Sequence, residues 1–231
     1  STSNGNEAHI PQRKMARMGE LASGAVAWTA EHALPLWACT GCRHCTVYCD
    51  HDNEPGLVLL TGRAQAVARG AVHPALADYP ERFAERDTRL VAQLREQFAD
   101  DRGASGAIGF WPGCDTVGKS PADVTAALML LRERYGDQVV IVDAAQVCAG
   151  YPLLAAGYAD AFRWHAAKVA ASLAGFDKIV INCSACLYAM RSQYPAEGLA
   201  RPDAVVSLAE ALAPVDDRNA TTRTRAVYYH D

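Results

Sequence analysis

The sequence has no excess of positive charge and no long hydrophobic run. Among its 231 residues, 22 Lys and Arg stand against 26 Asp and Glu, which gives a net charge of -4 at pH 7. A protein that binds nucleic acid through phosphate attraction needs the opposite balance, so this class is excluded. The longest uncharged run, 144–159, is shorter than the roughly 18 residues of a membrane span, and it contains Gly150, Pro152 and Gly157.

Signals for organic cofactors and for hydrolytic catalysis are also lacking. Residues 103–113 contain Gly but lack the Lys and the spacing of a phosphate-binding loop, and no flavin or nicotinamide fingerprint occurs. We therefore expect any chemistry on an organic substrate to reside in another chain. The polar residues 1–9 do not have the pattern of a secretion signal. We expect a cytoplasmic protein, with peripheral association at the inner face of the membrane through a partner as a further option.

The most informative residue type is Cys, of which the chain has eight. Four of them follow one another with x2, x2 and x3 spacing, namely Cys39, Cys42, Cys45 and Cys49. Bacterial ferredoxins have this spacing around a [4Fe–4S] cluster, whereas Zn sites more often use two separated pairs. Asp50 stands where the ferredoxin run has Pro. We predict these four Cys as cluster ligands, and the neighbouring His44 and His51 as solvated loop residues.

The number of ligands in this loop is open. In two-cluster ferredoxins the fourth Cys of such a run binds the other cluster. Cys39, Cys42 and Cys45 then need a fourth ligand, and Cys49 needs three companions. We expect a further Cys motif to precede Ser1, which makes the chain a fragment. The alternative is that Cys49 closes a single cluster.

Hydrophobic periodicity predicts a helical segment followed by an α/β domain. Helices are predicted over about 15–30, 57–69 and 80–99; the apolar stripe of the last predicts a packed connector or, alternatively, a docking surface. From Gly103 onward, short apolar strands alternate with helices that follow Ser120 and cover 158–175. His165, on the second of these helices, is predicted to be a surface or half-buried residue and not a catalytic base. The predicted strands are 107–111, 139–142, 178–182, 205–206 and 226–229. This alternation predicts an α/β fold in which a helical ferredoxin-type iron–sulfur module precedes a mostly parallel, cysteine-rich domain.

The other four Cys lie where the predicted strands end. Cys114 follows the first strand, Cys148 the second and Cys183 the third, and Cys186 lies one turn further at the start of a helix. A helix N-terminus stabilises a thiolate, and the carboxyl ends of parallel strands meet at one edge of the sheet. We therefore expect one metal site there, with an iron–sulfur cluster as first choice and Zn as second. The alternative is that Cys114 and Cys148 are ordinary buried thiols.

Three motifs around these Cys resemble one protein family. They are Phe110-Trp111-Pro112-Gly113-Cys114, Cys148-Ala149-Gly150-Tyr151-Pro152 and Asn182-Cys183-Ser184-Ala185-Cys186. With the first Cys loop, they resemble iron–sulfur proteins that join a two-cluster ferredoxin module to CCG-type cysteine-rich domains. Examples are the iron–sulfur subunits of glycolate oxidase and of anaerobic glycerol-3-phosphate dehydrogenase, and the cysteine-rich subunits of heterodisulfide reductases. The resemblance implies an incomplete ferredoxin-like module over 1–75, a helical connector over 76–104 and one CCG-type domain over 105–231, with a second copy beyond it.

The resemblance also implies a function, which is electron transfer within a hetero-oligomeric oxidoreductase complex. Such a subunit is not itself catalytic: it takes electrons from a flavin-dependent dehydrogenase or another redox subunit and passes them to a quinone or a thiol/disulfide acceptor. Ala149 departs from the family, which has a second Cys there; in heterodisulfide reductases the five-Cys set holds a non-cubane cluster that cleaves a disulfide. Four thiolates imply an ordinary cluster or Zn instead. Two other functions stay open: a thiol–disulfide oxidoreductase using Cys183 and Cys186, and a Zn-braced assembly platform.

Overall fold

The first part of the chain is helical. The computed structural model describes residues 7–51, 53–200 and 204–213. Helices α1 to α5 are Pro11–Ser23, Ala30–Ala33, His44–Val47, Pro55–Ala68 and Tyr79–Gln97, and 3-10 helices lie at Glu7–His9, Leu34–Ala38, Pro74–Leu76 and Ala99–Asp101. The helix predicted over 15–30 begins earlier, with Pro in its first turn, and it ends where Gly24 takes a left-handed φ of 78°. Helices α1 and α4 share a small core built on Leu21, Leu36 and Leu59.

The second part is built on one parallel sheet. Its strands β1 to β5 are Arg102–Gly103, Gly106–Trp111, Val139–Val142, Phe176–Ile181 and Ala204–Ser207. They lie in the order β1-β3-β2-β4-β5, and every paired neighbour is parallel. The predicted α/β fold class is therefore confirmed. Sequence analysis did not predict β1, which is too short for a periodic signal. The strand predicted over 226–229 lies outside the described residues.

Helices connect the strands and cover the sheet. They are α6 Cys114–Lys119, α7 Pro121–Tyr135, α8 Tyr151–Ala156, α9 Ala159–Leu173, α10 Ser184–Tyr188, α11 Tyr194–Ala196 and α12 Leu208–Leu212, with a π-helix at Ala189–Gln193. Ser120 precedes α7 as predicted, but its side chain makes no capping hydrogen bond. The chain moves from β2 to one neighbour, β3, and then past β2 to the other, β4. Right-handed crossovers therefore put α7 and α9 on opposite faces of the sheet.

Helix α5 packs against the α/β domain. Its stripe of apolar residues, Phe83, Leu90, Val91 and Leu94, belongs to the same buried core as the strands, and α5 contacts α6 and α8. This stripe is covered within the chain, so it is a packed helix face and not the docking surface considered as the alternative. None of the helices in the described part of the chain is long and apolar enough to cross a lipid bilayer.

Gly157 offers a test of how closely the two parts of the chain are packed. A Cβ added at Gly157 would lie 2.8 Å from the carbonyl oxygen of Arg63 in α4, and Gly157 has a φ of 99°. Gly24 also has a positive φ, but an added Cβ there meets nothing within 4 Å. We expect Gly24→Ala to lower the free energy of unfolding by about 1 kcal/mol through backbone strain alone. Gly157→Ala should lower it by about 2 kcal/mol more, because of overpacking. Urea unfolding of both variants measures the difference, and equal losses would contradict this close contact.

Candidate metal centre at the sheet edge

The carboxyl ends of three neighbouring strands carry the four Cys of the α/β domain. Cys114 begins α6 after β2, Cys148 lies in the loop after β3, and Cys183 follows β4. The loops after β2 and β4 touch, because a Cβ at Gly113 would lie 2.6 Å from the Cβ of Cys183. Gly113 also has a φ of 82°, so a side chain is unfavourable there for two reasons. Parallel pairing of these strands therefore brings distant parts of the sequence to one place.

The four thiols form a row of hydrogen bonds. Cys114 donates to Cys148, Cys148 donates to Cys186, and Cys186 donates to Cys183. Three of these Cys are buried, and Cys183 is half-buried at the end of the row. The structure thus brings together the four Cys that the sequence places at strand ends. Their role as metal ligands stays a prediction.

The row determines which sulfur ionises first. Cys183 accepts hydrogen bonds from the Cys186 thiol and, at 3.4 Å, from the Cys186 amide, and these lower its pKa to about 7 against the opposing effect of burial. The hydrogen bond from Cys114 lowers the pKa of Cys148, but donation to Cys186 and burial outweigh it and raise that pKa to about 12. Donation to Cys148 together with burial raises the pKa of Cys114. Cys183, at the more accessible end of the row, therefore ionises at a lower pH than the other three thiols.

Backbone amides also point at the sulfurs. The Gly150 amide lies 3.5 Å from the Cys148 sulfur, and the Ala149 amide lowers the pKa of Cys186 against larger effects that raise it. Amide donors of this kind stabilise thiolates and tune iron–sulfur clusters. Across the described ranges, no three His, Cys, Asp or Glu side chains are gathered as a site for one metal ion. Four Cys thiolates with backbone amide donors are the ligand set of an iron–sulfur cluster, and four thiolates can also bind a Zn ion.

Two buried polar side chains support the loop of Cys148. One carboxylate oxygen of Asp87, in α5, accepts the amides of Val147 at 3.2 Å and Cys148 at 3.0 Å. The His165 ring nitrogen Nε2 lies 2.7 Å from the carbonyl oxygen of Cys148. Burial raises the pKa of Asp87, although His165 and the two amides act in the opposite direction.

One prediction about these side chains is wrong, and one residue was missed. His165 was expected to be a surface or half-buried residue, but it is only 5% exposed, because α9 turns it toward the loop after β3. Sequence analysis did not single out Asp87. The signal for it was a carboxylate inside the apolar stripe of α5, four positions after Phe83.

The other Cys set lies in the loop before and around α3. Cys42 is exposed, and the amide of His44 lowers the pKa of its thiol. The amide of Asn53 lowers the pKa of Cys49, and the Asn53 side chain lies 3.4 Å from that sulfur. Gly41 and Arg43 both have positive φ, at 74° and 60°. Alternation of such conformations turns successive amides toward one concave side, which favours anionic sulfur.

A cavity lies beside the last two Cys of this set. It has a volume of about 830 Å³, and Cys45, Cys49 and His44 line it together with Tyr48 and residues of α1 and α4. His44 and His51 are exposed, as predicted. Cys39 packs instead beside the small helical core, with its carbonyl oxygen bound by Arg63. Two of the four Cys line this cavity, and ligation of a cluster by all four stays a prediction.

Part of the amino-acid sequence matches a known type of domain. Residues 108–191 match the family described as CCG, a cysteine-rich domain. This segment contains Cys114, Cys148, Cys183 and Cys186, together with the loops that carry them. The match supports the resemblance found in the sequence for this part of the chain.

One curated relative matches over most of the chain. It is a subunit of the fumarate reductase (CoM/CoB) of Methanothermobacter marburgensis, and it is 28% identical over 200 residues. The alignment covers 85% of this chain and 40% of the relative, so the chain spans about two fifths of that protein's length. No solved structure matches.

Asp87 should prove important for stability through its two amide partners. Asp87→Ala leaves two buried amides without an acceptor, and we expect the free energy of unfolding to fall by about 2 to 3 kcal/mol. Asp160→Ala is the matched control, because this carboxylate is exposed on α9, and it should change the value by less than about 0.5 kcal/mol. Chemical denaturation measures both. A similar small change in both variants would show that Asp87 does not hold the loop.

Proposed function

We propose that this chain is an iron–sulfur electron-transfer subunit of a multi-subunit oxidoreductase. The observation that carries the proposal is the row of four thiols from three strand ends, with backbone amides directed at its sulfurs. The name of the 28% identical relative, a reductase subunit, supports a redox role, and the match to the cysteine-rich domain supports the site. In this proposal, residues 1–75 form the ferredoxin-like module, 76–104 the connector and 105–231 the cysteine-rich domain.

Each Cys set has a separate task in this proposal. Cys39, Cys42 and Cys45 hold a [4Fe–4S] cluster together with Cys49 or a ligand from outside the described chain. Cys114, Cys148, Cys183 and Cys186 hold the second group. Iron–sulfur clusters, when bound, take up and release single electrons.

The protein's own groups stabilise both sites. Amides of Gly150 and Ala149 stabilise anionic sulfur at the sheet edge, and Asp87 and His165 hold the Cys148 loop in place. Burial of three of the four thiols limits the access of water. A flavin-dependent dehydrogenase or another redox subunit supplies the electrons, and a quinone or a thiol/disulfide compound accepts them. Chemistry on organic substrate belongs to the partner subunits.

A second candidate function has one observation in its favour. The pKa of Cys183 is lowered to about 7, and Cys183 opens a Cys-x-x-Cys pair at a helix start. These are features of thiol–disulfide oxidoreductases, in which the first thiolate attacks a disulfide. The reduced, metal-free form of such a protein should exchange thiols with a small disulfide. An iron-loaded Cys183 should not react, so iron content separates the two functions.

The first test is the metal content of the protein purified without oxygen. We expect iron and acid-labile sulfide in the wild-type chain, with Zn well below stoichiometry. Cys183→Ser should lose the iron of the second site and keep the signal of the first, because the two sets hold separate groups. Ser184→Ala, a change in an exposed neighbour, is the matched control and should keep both. Stoichiometric Zn, or iron unaffected by Cys183→Ser, would contradict the assignment of the second site.

The Ala149 position gives a second test. Ala149 is fully buried between Cys148 and Gly150, and its carbonyl accepts a hydrogen bond of 3.0 Å from Tyr194. Ala149→Cys adds a fifth thiol to the edge, and we expect a changed electron paramagnetic resonance spectrum of the second site. Ala149→Ser, which is of similar size and has no thiol, should keep the wild-type spectrum. Identical spectra for the Cys and Ser variants would show that this position does not reach the bound group.

A further inference from the structure

One aromatic side chain connects the two Cys sets. Tyr151 begins α8, three positions after Cys148 in the sequence. Its phenol oxygen reaches the first Cys loop, since a Cβ at Gly41 would lie 3.0 Å from this oxygen. Gly41 is the residue that separates Cys39 and Thr40 from Cys42. Tyr151 therefore contacts the loop of one set through its hydroxyl while its backbone belongs to the loop of the other.

The ring of Tyr151 also contacts the segment that follows Cys186 at the sheet edge. It packs edge-to-face on Tyr188, with the ring centroids 5.4 Å apart and the planes at 87°. Tyr188 follows Cys186 by two positions at the end of α10, and its hydroxyl accepts a hydrogen bond of 3.0 Å from Gln193 in the π-helix. The Tyr151–Tyr188 pair is thus connected to Cys148 through one chain segment and to Cys186 through another.

Neighbouring contacts hold this arrangement together. The guanidinium of Arg63, only 5% exposed, donates to the carbonyl oxygens of Leu36, Cys39 and Ala155. The indole nitrogen of Trp37 donates to the carbonyl oxygen of Ala156 at 3.0 Å. Arg63 and Trp37 both belong to the helical module, and both donate hydrogen bonds to carbonyl oxygens of α8. These hydrogen bonds hold the end of α8 against the segment that carries the first Cys loop. Burial also raises the pKa of the Tyr151 phenol.

We propose that Tyr151 is the bridging side chain through which an electron passes between the two Cys sites. The inference rests on the proposed function. In the step, the group that the first set would hold would give up one electron, and the group that the sheet-edge Cys would hold would take it up. Tyr151 is neither oxidised nor reduced, and no bond forms or breaks. It supplies a path of bonded and closely packed atoms between the two Cys loops.

The experiment measures the rate of electron transfer between the sites by rapid-freeze electron paramagnetic resonance on the anaerobically purified protein. Tyr151→Leu removes both the hydroxyl contact with Gly41 and the ring contact with Tyr188, and we expect a several-fold slower transfer. Tyr151→Phe keeps the ring contact and should give a smaller loss. Tyr158→Phe is the matched control: this tyrosine bonds the carbonyl oxygens of Leu76 and Ala77 instead, and the rate should not change.

The outcomes separate this inference from the function on which it rests. If both sites carry iron and Tyr151→Leu transfers electrons as fast as wild type, the bridge is wrong and the function stands. If the wild-type protein carries no iron, both fail. If Tyr151→Leu does not bind iron, the rates of Tyr151→Phe and Tyr158→Phe are compared instead, because Phe preserves the packing of the ring. A slower transfer in Tyr151→Phe alone supports the bridge, and equal rates in the two variants contradict it.

A second measurement tests the contact without any bound group. Gly41→Ala should destabilise the wild-type chain, in which the new methyl meets the Tyr151 hydroxyl. The penalty should shrink in the Tyr151→Phe background, where that hydroxyl is absent. Backbone strain at Gly41 is the same in both, so the double-mutant cycle isolates the contact. Equal penalties in the two backgrounds would overturn the proposed route.

Discussion

The parallel register of β2, β3 and β4 is the constraint on which the site depends. Ile108 and Phe110 of β2 pair on one side with Val139 and Ile141 of β3, and on the other side β2 pairs with β4. All three strands then end at the same edge, and the chain leaves β2 and β3 in opposite directions across the sheet. Crevices at such a point are the general ligand sites of α/β folds. Here the four Cys of the α/β domain lie at this edge.

Packing at this edge leaves little freedom to the loops. Gly113 has no room for a side chain because of Cys183, and a Cβ at Gly150 would lie 2.9 Å from the ring of His165. Asp87 uses one oxygen to fix two amides of the Cys148 loop. A buried carboxylate is costly unless it is hydrogen-bonded, and this cost is offset only when the loop keeps its conformation. The thiols are therefore held in a row by the surrounding backbone and not by one another alone.

The two Cys sets differ in how they are built, and the difference suits an electron-transfer chain. The first set lies in one continuous loop near the surface, with Cys42 exposed and a cavity at Cys45 and Cys49. The second is mostly buried and assembled from three segments. Arg63 and Tyr151 lie between the two sets, so buried contacts connect the first Cys loop to the sheet edge.

Sequence alone determined the local features of this protein, and tertiary structure alone decided which distant side chains serve the site. Three features belong to short segments: the spacing of Cys39 to Cys49, the alternation of strands and helices, and the position of Cys at strand ends. The pattern of residue types along the sequence therefore predicts them. Even the meeting of four thiols could be expected, because parallel strands end at one edge. By contrast, Asp87 and Cys148 are 61 positions apart, and Arg63 and Ala155 are 92 positions apart. The contact of Tyr151 with Gly41 likewise depends on how α8 docks on the helical module. Such docking is a sum of many weak contacts across the whole chain, and no short stretch of sequence contains it.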